Sequence, residues 1–207
     1  MVIDKKNIFD LNENSINFDE VFDICIIGGG IVGIYVTIEM LKKGFNILLI
    51  DAGPLNPIFS EELGFESEFL SNVYNGATIG RQFGLGGTSE KWGGLLIPHN
   101  EYDLSDNDNI SSWKFIIETI NKFENEVFKN LSLKKSYLDL SIQNKEFMDQ
   151  NLSFSKSFEL KKGIRLNSYL RNFKRILNNE IKNKNLKILI NAVANKWDLK
   201  TNSSNRF

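Results

Sequence analysis

Gly28, Gly30 and Gly33 stand in the spacing G-x-G-x-x-G, between an apolar, β-branched run at 22–27 and an apolar stretch that starts at Ile31. This arrangement suits close approach of backbone to an anion. Gly28 allows a tight turn off a strand, Gly30 removes the side chain where a pyrophosphate would sit, and Gly33 lets the following helix pack against the strand. The helix N-terminus then offers unpaired N–H groups and the positive end of its dipole. Asp51, at the end of the next apolar run, is at the distance where a carboxylate accepts the hydroxyls of an adenosine ribose. No arginine follows Asp51 directly, so a 2′-phosphate is not invited. These residues point to a dinucleotide and leave FAD and NAD both open.

The same chemistry has a second candidate surface in "RQFGLGGTSEKWGG", residues 81–94. Glycine is costly to order and is used where backbone must bend or come close to something. Gly86 and Gly87 offer a close approach, and the hydroxyls of Thr88 and Ser89 can donate to a phosphate or to a ring carbonyl. The competing reading is a glycine-rich hairpin with Trp92 packed as an anchor.

The surrounding pattern supplies elements to hold both segments. Residues 22–27 read as a buried strand, 31–43 as a helix stopped at Gly44, and 45–51 as a second buried strand. Strand, turn, helix and strand at this spacing make a βαβ unit, so the expected fold class is α/β with a parallel, Rossmann-like sheet. Residues 1–20 read as a polar lead-in, loop-like apart from a short edge strand at 2–4, and 21–207 as the body of the domain. Ser112 is placed to cap a helix from 113 to 131. Its residues Trp113, Ile116, Ile117, Ile120, Phe123, Val127 and Leu131 recur at helical spacing and predict one buried face. Residues 132–158 give no clear pattern. A second amphipathic helix is expected over 166–182, and one or two strands over 186–200.

Bulk properties exclude some classes. The 207 residues carry a formal net charge of −1, which gives no overall case for nucleic acid or a membrane surface. Charge is uneven, acidic over the first thirty residues and basic from Lys161 to Lys200, and the basic part reads as a solvated helix face. One cysteine, Cys25, cannot form an internal disulfide. It reads as a small core residue in a protein of a reducing compartment. No secretory signal pattern and no membrane-length apolar run is present, so the expected location is cytoplasmic. No metal site is expected.

Together, "FDICIIGGGIVG", "LLIDAGP" and "GLGGTSEKWGG" resemble the N-terminal FAD-binding part of the glucose–methanol–choline (GMC) oxidoreductases. "EYDL" and "SSWKF" resemble its more distant members, including those like pyranose oxidase, and "LKILINAVANKW" its later adenine-side strand. The resemblance runs from about residue 22 to 198 and is strongest at 22–54 and 80–103. It implies that Gly28, Gly30 and Gly33 hold the pyrophosphate and Asp51 the ribose. Gly86, Gly87, Thr88 and Ser89 would line the pyrophosphate–ribityl–flavin side, with Trp92 beside them. Backbone near Val193 would contact adenine.

Lys91 stands where pyranose-oxidase-like members carry the histidine bonded to flavin, and Trp92 where many members have Asn or His. The implied FAD is therefore non-covalent. The implied reaction is oxidation of a CH–OH group, on a sugar, polyol or other alcohol, by hydride transfer to the flavin. That reaction needs a neutral imidazole base within hydrogen-bond reach of the substrate. The single histidine, His99, lies outside the family's catalytic block and reads as a loop residue beside Pro98, so no catalytic residue is assigned. The expectation is a fragment without the substrate domain and C-terminal segment, inactive alone and completed by a complementary C-terminal chain. Two alternatives stand beside it: a non-catalytic or remnant subunit that binds a partner, and a different class of FAD- or NAD-dependent flavoprotein.

Overall fold

A computed structural model describes residues 6–13, 20–65, 80–97, 99, 110–133 and 163–198. The chain packs as two units, Met1–Trp92 with Ser168–Phe207, and Gly93–Asn167.

The first unit is built on a parallel four-stranded sheet of β1 (Ile8–Asp10), β2 (Ile24–Ile27), β3 (Ile47–Ile50) and β6 (Leu186–Ile190) in the order β1-β6-β3-β2, so the α/β class expected from the sequence is present. Strand β2 (Ile24–Ile27) leads through the glycine turn into helix α1 (Ile31–Lys42), and the chain returns in β3 (Ile47–Ile50). β2 and β3 pair in parallel from Ile24↔Ile47 to Ile27↔Ile50, which closes the βαβ unit. The stop of α1 follows its sequence: Lys42 lies in the last turn, and Gly44 takes φ +87 while its N–H donates to the Leu41 carbonyl. Strand β6 (Leu186–Ile190) then pairs in parallel with the other side of β3.

Ile47, Leu49, Leu186 and Ile188 are fully buried, and β6 alternates buried and half-buried positions. Ile34 and Leu41 of α1, Phe173 and Leu177 of the short helix α3 (Phe173–Leu177), and Ile181 join them in one core. Burial of each such side chain contributes about 1.5–3 kcal/mol.

Several expectations change. The lead-in is not loop throughout: Ile8–Asp10 form β1, which pairs in parallel with β6 at the edge of the sheet. Asn7 fixes its entry by donating from Nδ2 to the carbonyls of Ile181 and Asn183. A three-residue strand among polar neighbours leaves almost no alternation to read. The strand expected at 2–4 lies outside the described residues.

The helix expected over 166–182 shrinks to α3. Asn172 caps it by accepting from the Arg175 N–H, and "NNEIKNKN" beyond it proceeds as turns. Asparagine side chains compete with the backbone ladder, which disfavours helix here despite the apolar spacing. Cys25 is exposed on β2 rather than in the core, and partial desolvation raises its thiol pKa.

The second unit contains a two-stranded antiparallel ladder, β4 (Leu95–Leu96) with β5 (Ile164–Arg165), and helix α2 (Ile110–Asn130). Helix α2 starts ahead of Ser112, so that serine is not its cap. Its described apolar face is only partly covered: Ile117 is buried, whereas Ile116, Ile120, Phe123 and Val127 are exposed. Periodicity specifies which residues share a face, but not what covers it. Among the described residues, no helix is long and apolar enough to cross a membrane.

Candidate functional site

The glycine turn leaves β2 at Gly28, which takes φ +100. Gly33, one turn into α1, has no room for a side chain: a Cβ there would lie 1.8 Å from the Gly28 carbonyl oxygen. That contact lets α1 begin directly above the strand end. Gly30, the N-cap of α1, has extended backbone and makes no side-chain cap, and no acidic residue occupies the first turn. The first intrahelical bond of the turn runs from the Ile34 N–H to the Gly30 carbonyl. The N–H groups of residues 31–33 therefore have no intrahelical acceptor. A Cβ on Gly30 would meet nothing within 4 Å, so this backbone faces open space.

The second glycine segment comes to the first. The Gly86 N–H donates to the Gly29 carbonyl at 2.8 Å, and a Cβ on Gly87 would lie 3.2 Å from the Gly30 Cα. Gly84, at φ +128, is pressed against the Pro54 carbonyl, and Gly53 packs in turn on the backbone of Phe83 and Gly84. What comes close to Gly86 and Gly87 is thus the backbone of Gly29 and Gly30, and to Gly84 the backbone of Pro54 and Pro57.

Between the segments lies a cleft of about 570 Å³, within the ordinary range of ligand sites. Gly28, Gly30, Gly33, Asp51, Gly87 and Thr88 all line it. Asp51 is buried, with Oδ2 accepting from the Gly29 N–H at 2.6 Å and Oδ1 from the Gly53 N–H at 2.8 Å. Desolvation raises its pKa, opposed by the backbone N–H groups of Gly53, Gly29 and Gly84. A carboxylate offers about four lone-pair sites, so capacity for ligand hydroxyls remains after these bonds.

Four residues expected at the cofactor do not line the cleft. Gly86 lies behind the turn, against Glu90 and Lys174. Ser89 is buried and committed to the protein: its hydroxyl donates to the Gly86 carbonyl at 2.6 Å and accepts from the Phe173 N–H at 3.1 Å. It fastens the short 3₁₀ turn Gly87–Glu90 to the start of α3. Trp92 anchors the same junction through an Nε1–H bond to the Arg171 carbonyl at 2.6 Å and packs against the core. Val193 follows β6 and is exposed.

Sequence reasoning gave no role to Gln82 and Phe83, which complete the cleft wall beside Gly84. The φ demand of Gly84 was foreshadowed by its glycine, but nothing in a lone Gln-Phe pair marks a wall. It also passed over Lys174, which is buried and extends Nζ to Glu90 Oε2 at 3.3 Å, the Leu55 carbonyl at 3.3 Å and Asn56 Oδ1 at 3.2 Å. His99 belongs to the second unit, where it lines a separate hollow of about 200 Å³ with Glu124, Ile120 and Phe128. Among the described residues, no group of His, Cys, Asp and Glu is placed to hold a metal ion.

No family model matches the chain, and no curated protein matches it. Among solved structures, the L-amino acid deaminase from Proteus vulgaris aligns with 91% of this chain and 44% of its own, at 10% identity and a TM-score of 0.41. This chain therefore spans less than half the length of that protein, and a likeness at that level says nothing of activity.

Proposed function

We propose that this chain forms the dinucleotide-binding part of a flavin-dependent oxidoreductase and holds FAD non-covalently. The observation that carries the reading is the meeting of two glycine segments at an uncapped helix start. The Gly86 N–H bonds the Gly29 carbonyl, and Gly30 keeps open space in front of it. Such a cradle suits a diphosphate, which needs backbone donors at close range and no side chain in the way. In this reading the N–H groups at the start of α1 bind the pyrophosphate, and Asp51 accepts from the ribose. Thr88, exposed on the opposite wall, donates to the same ligand.

The resemblance of the chain to GMC oxidoreductases, strongest over 22–54 and 80–103, favours FAD over NAD and an enzyme acting on CH–OH groups. Bound flavin would supply the hydride acceptor. The chain's own part is to bind and orient it, because among the described residues Asp51 is the one titratable side chain on the cleft wall and is tied to backbone N–H groups. That same observation supports a second reading, a binding chain without chemistry of its own.

The test is a visible absorption spectrum of the purified chain after mixing with FAD and removing free cofactor by gel filtration. Flavin bands that co-elute with the protein support the reading. A folded, monodisperse, colourless protein overturns the FAD assignment, and a parallel titration with NAD then decides whether the cleft takes another dinucleotide.

A further inference from the structure

Helix α2 carries a charge where its pattern asks for an apolar side chain. Glu124 stands four residues from Ile120 and Phe128 and seven from Ile117 and Leu131, on the stripe that those residues form. It is half-buried. A carboxylate on an apolar stripe breaks the pattern that packs a helix, and such breaks are expected where a side chain serves a ligand.

Glu124 lines the hollow of about 200 Å³ in the second unit. The apolar lining comes from three elements: Leu96 of β4, its partner Ile164 of β5, and Ile120, Val127 and Phe128 of α2. Ile164 is buried, Leu96 and Phe128 are half-buried, and Ile120 and Val127 are exposed, so the lining runs from the interior out to solvent. His99 and Asn121 line it as well, and both are exposed and within reach of a solute. Asn121 lies one turn before Glu124 on the same helix.

Three constraints define a ligand. The volume is that of about six or seven waters at ~30 Å³ each, below the range of drug-sized ligands, so the ligand body is short. The apolar walls favour hydrocarbon over polar surface. Among the described residues that line the hollow, Glu124 is the one charged side chain, and no lysine or arginine opposes it. A cation is attracted there and an anion repelled. A carboxylate, an amide oxygen and an imidazole nitrogen can each accept from an ammonium, which only donates.

We propose that this hollow binds a small apolar primary amine, with the ammonium on Glu124 beside His99 and Asn121 and the hydrocarbon on Leu96, Phe128 and Ile164. The hollow shares no lining residue with the glycine cleft, and the proposal does not depend on the dinucleotide reading.

The test titrates the full chain with hexylamine, hexanol and hexanoate, which share a hydrocarbon chain and differ in the head group. His99 is the single histidine, so its imidazole proton resonance in NMR reports on the hollow. The expected result is a saturable shift of that resonance by hexylamine, with a Kd about tenfold or more below that of either other probe. In Glu124→Gln, hexylamine should lose about tenfold in affinity while hexanol stays within a few-fold of wild type, so the preference itself collapses. Ile120→Lys is a second variant, at an exposed position. It sets an ammonium one turn before Glu124, where it competes for the carboxylate and should weaken hexylamine by a similar factor.

Hexanol or hexanoate binding as tightly as hexylamine overturns the amine assignment. Hexylamine binding that leaves the His99 resonance unmoved places the site elsewhere and overturns the proposal as well. A preference for the amine that survives in Glu124→Gln or, should that variant fail to fold, in Ile120→Lys removes Glu124 from recognition and ends the proposal. Failure of hexylamine to bind the wild-type chain ends it directly.

Discussion

The backbone N–H of Gly86 donates to the carbonyl of Gly29 across 2.8 Å. The bond joins the two glycine-rich segments of the chain directly, so both belong to one cleft. A side chain at Gly87 would crowd the first segment, since a Cβ built there lies 3.2 Å from the Gly30 Cα.

Gly30 separates a ligand role from a packing role. An added Cβ there meets nothing within 4 Å, and φ is −80, so alanine fits the empty protein. The entropy gained against glycine and the poorer N-cap offset each other, leaving ligand-free stability within about 0.5 kcal/mol of wild type. Dinucleotide affinity should fall about tenfold or more, the worth of one hydrogen bond to a charged group. Melts and FAD titrations of Gly30→Ala read both quantities. A variant that binds as wild type does would show that no anion approaches this backbone.

Gly33→Ala should behave in the opposite way. Its Cβ would sit 1.8 Å from the Gly28 oxygen, so α1 must lift off β2. Overpacking against backbone costs about 1–3 kcal/mol or more, visible as a drop of several degrees in Tm before any ligand is added. A Tm equal to wild type would mean that the turn relaxes freely.

Lys174 and Glu90 pin the second segment from behind. With Lys174→Met, Glu90 keeps neither oxygen satisfied, because its Oε1 is already buried without a partner. Removing one member of a buried pair costs about 3–5 kcal/mol. Adding Glu90→Gln should restore part of the loss, so a double-mutant cycle by denaturant unfolding should show coupling of about 1 kcal/mol or more. Additive losses would make the pair incidental.

The βαβ unit was legible because it is local: a short apolar run, three glycines at set spacing and a lysine–glycine helix stop all lie within 22–51. The second segment was legible as backbone that must come close to something, but its partner was not, since Gly29 and Gly86 meet only through tertiary packing. Ser89 and Trp92 show the limit most clearly. Their types suit a ligand, yet α3 supplies a nearer donor from Phe173 and the adjoining chain a nearer acceptor at Arg171. Sequence marks a hydroxyl or an indole as able to bond and leaves the choice of partner to the fold. Strand β1 went unread for a related reason, since its stability comes from β6 and not from its own three residues.

Asp51 carries a pH dependence whose sign follows from its surroundings. Desolvation holds its folded pKa above the ordinary carboxylate value, against the pull of the Gly53, Gly29 and Gly84 N–H groups. The folded chain therefore binds this proton more tightly than the unfolded chain does. The stabilisation is fully present below the unfolded pKa of about 3.9 and is lost as pH rises through the folded value. Asp51→Asn has no such proton, so the stability gap between wild type and variant should be widest in acid and narrow toward neutrality. Ligand binding should run the other way: ribose hydroxyls donate best to the ionised carboxylate, so wild-type affinity for FAD should weaken as pH falls through the same window. Asp51→Asn should show a flatter profile. Paired melts and FAD titrations from about pH 4 to 7 measure both slopes. A stability gap that does not change with pH would mean that Asp51 titrates alike in the folded and unfolded chain. A falling stability gap with a flat affinity would keep the buried carboxylate and remove it from ligand binding.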